Sequence, residues 1–148
     1  MNFIFLCLFI GLSLSYNPHA AILYAKKYCR NYNQNYNNQG NYFPLKDSAN
    51  FVSQSLVAGG LNFNDCSGRK DKGMLVYTSE LRSCLEKKGW KKSRRIPKEF
   101  IGGYPIFNDN SYAMIATNVK GNAVFYSAHQ PDRCDYKIQN TSLIYYYL

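Results

Sequence analysis

Apolar and polar positions alternate along this chain in three successive rhythms. The first fifteen residues, MNFIFLCLFIGLSLS, form one nearly unbroken apolar run without a charge. A helical rhythm follows. Asn17-Pro18 supplies a capping side chain and a proline suited to the first helical position. Ala21, Tyr24, Ala25 and Tyr28 then recur at i, i+3, i+4 and i+7, which predicts one buried helical face. After the Asn- and Tyr-rich stretch NYNQNYNNQGNYFP, read as an ordered loop, KDSANFVSQSLVAGG predicts a second helix. In it Asp47 is expected to cap the first turn with its carboxylate, Phe51, Val52, Ser55 and Leu56 to face inward, and Gly59-Gly60 to stop the helix. A third helix is expected from about Ser79 to Lys88, with Leu81, Cys84 and Leu85 inward and Gly89 at its stop.

Beyond the basic stretch EKKGWKKSRRIPKE the period shortens. YAMIATN and AVFYSAH are rich in strand-forming residues and are joined by residues 119–122, which predicts a hairpin; SLIYYYL reads as a last strand. Helices followed by strands give an α+β domain, with N-terminal helices packed on a C-terminal antiparallel sheet.

At 148 residues the chain supports one domain with a sizeable core. The apolar start, ending in small residues at Ser13 and Ser15, reads as a signal peptide over 1–15, with a domain over 16–148. It is shorter than the roughly 20 residues a spanning helix requires, so a secreted protein is expected. Past it stand Cys29, Cys66, Cys84 and Cys134, an even number that predicts two disulfides with three pairings open. No pair has CxxC spacing and the chain has two histidines, which argues against a zinc site; no cofactor motif is present. Asn140-Thr141-Ser142 is a glycosylation sequon. The net charge of +9 is concentrated at Lys87, Lys88, Lys91, Lys92, Arg94 and Arg95. Such a run is most simply a solvated helix end and loop, and it also attracts anionic surfaces such as acidic glycans or wall polymers; nothing points to specific nucleic-acid binding.

Two motifs carry a resemblance. Asp47-Ser48-Ala49-Asn50-Phe51-Val52-Ser53-Gln54, followed by Ala58-Gly59-Gly60, is similar to the hallmark Asp-Cys-x-Asn-Phe-Val-Ser-Gln and Ala-Gly-Gly of the putative amidase domain family. Tyr126-Ser127-Ala128-His129-Gln130-Pro131-Asp132-Arg133 resembles that family's Tyr-Ser-x-His-Thr-x-Asp-Arg. Tyr16-Asn17, Tyr24-Ala25 and Asn33-Gln34-Asn35-Tyr36 echo its N-terminal stretches. The resemblance implies a papain-like, cell-wall-peptidase-like fold, in which a helix N-terminus favours a thiolate and a strand supplies the base.

The departures from the family pattern set the functional expectation. Ser48 stands where the family has its nucleophilic cysteine. Asn110 and Ser111 stand where the resemblance implies Asp and the catalytic His, and His129 matches the third polar group. A serine hydroxyl stays protonated without a positioned base, so Ser48 would need His129 or His19 within reach. The expectation is therefore a secreted, catalytically inactive relative, with Asp47, Asn50, Gln54 and Asn110 lining a cleft that binds a peptide-glycan or other anionic ligand. The alternatives are an amide hydrolase using Ser48 and a cationic protein acting by electrostatic contact with microbes or membranes.

Overall fold

The computed structural model describes residues 15–37, 47–109, 111–139 and 142–148. The apolar run over 1–14, Asn110 and the first two sequon residues lie outside these residues. The chain forms α1 (Pro18–Tyr28), α2 (Ser48–Ala58), β1 (Lys70–Asp71), β2 (Met74–Leu75), α3 (Thr78–Lys87), β3 (Lys91–Ser93), β4 (Pro105–Asn108), β5 (Tyr112–Lys120), β6 (Ala123–Ala128), β7 (Arg133–Lys137) and β8 (Ile144–Tyr147). β1 and β2 make a small ribbon, and the others form one antiparallel six-stranded sheet in the order β3-β8-β4-β5-β6-β7. The architecture is α+β, as the change of rhythm predicts. No helix among the described residues is long and apolar enough to cross a membrane.

The register assigns the faces of the sheet, because residues directly opposite one another share a face. Phe107 pairs with Ala113 and Ile144, whereas Ile106 pairs with Met114 and Tyr145. The first set faces the helices: Tyr146, two residues after Ile144, packs its ring on Phe107 and donates its hydroxyl to Glu86 of α3 at 2.5 Å. The second set, with Tyr112, Tyr126 and Val124, faces outward. Phe100 packs against Tyr145 there, so loop residues cover part of the outer face.

The first two helices are locked end to end. Asn17 caps α1 by accepting from the Ala20 amide at 3.1 Å, and its own amide donates to the Gly59 carbonyl at 2.7 Å. A Cβ at Gly59 would lie 2.4 Å from the Tyr16 ring, and one at Gly103 2.4 Å from the Pro18 carbonyl. The glycine after α2 therefore both ends the helix and admits Tyr16, whose hydroxyl reaches the Gly103 carbonyl at 2.6 Å.

Several expectations are corrected. The connection between β5 and β6 is only Gly121-Asn122, because Val119 and Lys120 pair with Val124 and Ala123; the φ of +58° at Gly121 suits a two-residue hairpin turn. Part of the basic run is not loop: Lys91–Ser93 pairs with Tyr145–Tyr147 as an edge strand, where lysines discourage further strand pairing. The last strand lies inside the sheet, between β3 and β4. The open question of cysteine pairing resolves to Cys29–Cys134, tying α1 to β7, and Cys66–Cys84, tying the loop after α2 to α3.

Candidate functional site

The site is built at the N-terminal end of α2. Asp47 and Asn50 are three residues apart and so share one side of the first helical turn. Asn50 Nδ2 donates to Asp47 Oδ1 at 2.9 Å and to the Asn37 carbonyl at 2.8 Å, while its Oδ1 is buried without a hydrogen-bond partner among the described residues. The expected carboxylate cap is absent: Asp47 precedes the helix in αR geometry and makes no side-chain bond to a first-turn amide. Its other oxygen, Oδ2, lies 2.5 Å from His129 Nδ1. An Ncap side chain reaches the first-turn amides from extended backbone, and here the carboxylate points to His129 and Asn50 instead.

His129 is 1 % exposed and has a fixed partner on every side. Nε2 lies 2.7 Å from the Tyr28 carbonyl, and the ring is sandwiched between Phe51 and Tyr32 with centroids at 4.0 Å on each side. A carbonyl only accepts, so Nε2 carries a hydrogen. Nδ1 is joined to the Asp47 side chain by a short hydrogen bond. Both ring nitrogens are thus engaged by partners within the fold. The following residues hold this loop closed: Gln130 Oε1 accepts from the Asp47 amide at 2.5 Å, and Asp132 Oδ1 accepts from the Tyr32 hydroxyl at 2.8 Å and the Gln130 amide at 3.3 Å.

Ser48 is buried beside this pair at 1 % exposure, and its Oγ accepts from the Ala113 amide of β5 at 3.3 Å. Ser111, two residues earlier in the chain, lies in the exposed turn before β5 and turns its hydroxyl to the Asn108 carbonyl at 3.0 Å. His19 is exposed in the first turn of α1 and makes no bond to Ser48. The structure thus joins Asp47, Asn50 and His129 in one cluster and sets Ser48, at the start of α2, against the neighbouring strand β5. Ser111 takes no part.

Gln54 is held by the fold itself. Its Oε1 accepts from the Tyr24 hydroxyl at 2.6 Å, and Asn33 Nδ2 donates to that hydroxyl at 2.9 Å. Burial pushes the Tyr24 and Tyr32 hydroxyls well above the ordinary phenol range. Ser53 is used in the same structural way, donating to the Leu75 carbonyl at 2.9 Å. Sequence reasoning passed over Tyr24, Tyr28, Tyr32 and Gln130 as members of the site. Tyr24 and Tyr28 sit i, i+4 on α1, a spacing read only as core, and Tyr28 contributes through its backbone, which no side-chain pattern reveals.

Against known proteins, a family model described as a putative amidase domain matches residues 15–102, more than half of the 148-residue chain. The chain belongs to the putative amidase domain family. No curated protein and no solved structure matches it. The family match contains Asp47, Ser48, Asn50 and Gln54 and ends before β4, so Ser111 and His129 lie beyond it. Within the family segment the polar residues of α2 are almost all hydrogen-bonded to the fold itself, with the Asn50 carbonyl oxygen as the exception. Among the described residues no group of three His, Cys, Asp or Glu side chains is arranged to hold a metal.

Proposed function

We propose that this protein is a secreted, papain-like member of the putative amidase domain family that does not hydrolyse amides and serves as a binding module for a peptide-glycan or other anionic ligand. The observation that carries the non-hydrolytic reading is the commitment of His129 to Asp47 and the Tyr28 carbonyl, which leaves Ser48 without a base. Nucleophilic serine chemistry requires a base that takes the hydroxyl proton during attack. The burial of Ser48 supports the same reading, because a substrate carbonyl must approach the hydroxyl. The net charge of +9 and the two disulfides support an anionic ligand met in an oxidising compartment.

The test is hydrolysis of peptide and wall-derived amides by purified wild-type protein and by Ser48→Ala. Both are expected to match the uncatalysed blank. Turnover by wild type that disappears in Ser48→Ala would overturn the reading. Activity gained on combining Ser48→Cys with Ser111→His would support the assignment of both positions.

A further inference from the structure

The outer face of the sheet carries two adjoining pockets, on the side opposite the buried cluster. One, of about 360 Å³, is floored by Tyr112 and Met114 of β5, Tyr126 of β6 and Tyr136 of β7, with Arg133 and Lys137 at its edge. The other, of about 290 Å³, has Arg94 and Arg95 at its edge and Tyr145 and Val124 in its lining. Ile138 and Gln139 belong to both, so the two form one depression across the sheet. Its first part spans β4 to β7, three inter-strand steps or about 14 Å.

We infer that this depression is a binding site for an acidic oligosaccharide, a deepening of the anionic-ligand reading on which it rests. Charge complementarity selects the class. Four cationic side chains border the two pockets, and no Asp or Glu lines either. Lys137 and Arg95 have no carboxylate partner among the described residues, and the only acidic neighbour of Arg94 is Asp109 in an exposed contact at 3.5 Å. Arg133 is held in place rather than neutralised: its guanidinium carbon stacks 4.7 Å from the Tyr136 ring centre, and Nη1 donates to the Asp132 carbonyl at 3.3 Å. That leaves further guanidinium hydrogens for a ligand carboxylate or sulfate.

The floor adds the second requirement of a sugar site. Tyr126 and Tyr136 pair directly across β6 and β7, placing two rings side by side on the outer face. Rings with polar tips offer flat apolar area to a sugar ring and a hydroxyl to its edge. Asn108 and Gln139 add amide donors and acceptors to the larger pocket. Its volume falls within the range of ordinary small-ligand sites, and the second pocket beside it extends the track beyond a single ring. A flat membrane or a duplex would meet the exposed lysines of the edge strand without entering either pocket.

The test is titration calorimetry of the full chain with three probes of equal length: a sulfated heparin-type hexasaccharide, an oligogalacturonate and neutral chitohexaose. Binding of either acidic probe with little or none of chitohexaose is expected, and the stronger of the two tells sulfate from carboxylate. The double variant Arg133→Ala/Lys137→Ala should weaken binding about tenfold or more, and Tyr136→Ala and Arg95→Ala each by about threefold or more. Lys27→Ala/Arg69→Ala removes the same charge as that double variant, from α1 and the loop before β1, and should change binding less than about twofold. Unchanged thermal melting of each variant confirms that the loss is local. Equal losses in the groove and control variants would overturn the groove while leaving the anionic-ligand reading intact. Tighter binding of a single-stranded oligonucleotide or of phosphatidylserine vesicles would overturn the sugar class. Failure of both acidic probes to bind would overturn the groove and the ligand part of that reading together, whereas the Ser48 hydrolysis assay alone decides its non-hydrolytic part.

Discussion

On the helix side of the sheet, Asp47, Ser48, Asn50, Gln54 and His129 are each 5 % exposed or less, and each is bonded to another part of the fold. On the outer side, Arg95, Arg133 and Lys137 border open pockets without a carboxylate among the lining residues. The first arrangement uses polar chemistry to fix the backbone. The second leaves charge available to solvent and ligand. Burial explains the contrast: a buried polar group must find a partner inside the protein, whereas an exposed cation is already satisfied by water. A side chain fully used in holding the fold together is poorly placed to take part in turnover.

The comparison breaks most sharply at His129. Replacement by alanine would remove the His129 partner of the buried Asp47 side chain and open a gap between Phe51 and Tyr32. A loss of about 3–5 kcal/mol in denaturant unfolding is expected. A loss below about 1 kcal/mol would show that the helix side is not closed as described.

High pH is expected to act next. Desolvation by burial raises the hydroxyls of Tyr16, Tyr24, Tyr32, Tyr104, Tyr112, Tyr145 and Tyr146, the last from 10.0 to about 12. A folded-state pKa above the unfolded one means that the folded state holds its proton longer. The stabilisation from the neutral hydroxyls is therefore complete below about pH 10 and falls as pH rises above it, the share of Tyr146 being lost between about 10 and about 12. Tyrosinate absorbance of these rings should appear together with the loss of circular dichroism; ionisation well before unfolding would contradict their burial.

A smaller effect is expected where one hydroxyl links two elements. Tyr24→Phe removes the donor to Gln54 and the acceptor for Asn33 without changing ring packing. It should cost about 1–2 kcal/mol in the same unfolding measurement. The smallest effect belongs to the outer face, where Lys137→Ala should change stability by less than about 0.5 kcal/mol while weakening the acidic sugar. A large stability loss there would mean that the lysine holds the fold rather than the ligand.

The helices were legible because their signals are local. Asn17-Pro18, the spacing of Ala21 and Ala25, and Gly59-Gly60 each act within a turn or two of chain. The edge strand at Lys91–Ser93 was not legible, since its three residues carry no apolar alternation and become a strand only by pairing with β8, more than fifty residues later. The site divided in the same way. The Asp47 to Gln54 motif announced itself by residue type and spacing, but the partner of each side chain did not. Asp47 has the side chain and position of a helix cap, yet His129, 82 residues away, takes one of its oxygens.

By itself, the sequence determined the three helices and the strands β5, β6 and β8, the excess of positive charge, the even set of cysteines and the serine at a position the family resemblance matches to cysteine. All of these are properties of residue type and of neighbours close along the chain. Only the tertiary structure decided which cysteines join, that His129 meets Asp47 and the Tyr28 carbonyl, and that Arg94, Arg95, Arg133 and Lys137 line two adjoining pockets. Those outcomes depend on strand register and on which face of the sheet the helices cover, and both are set by contacts between segments distant in the chain.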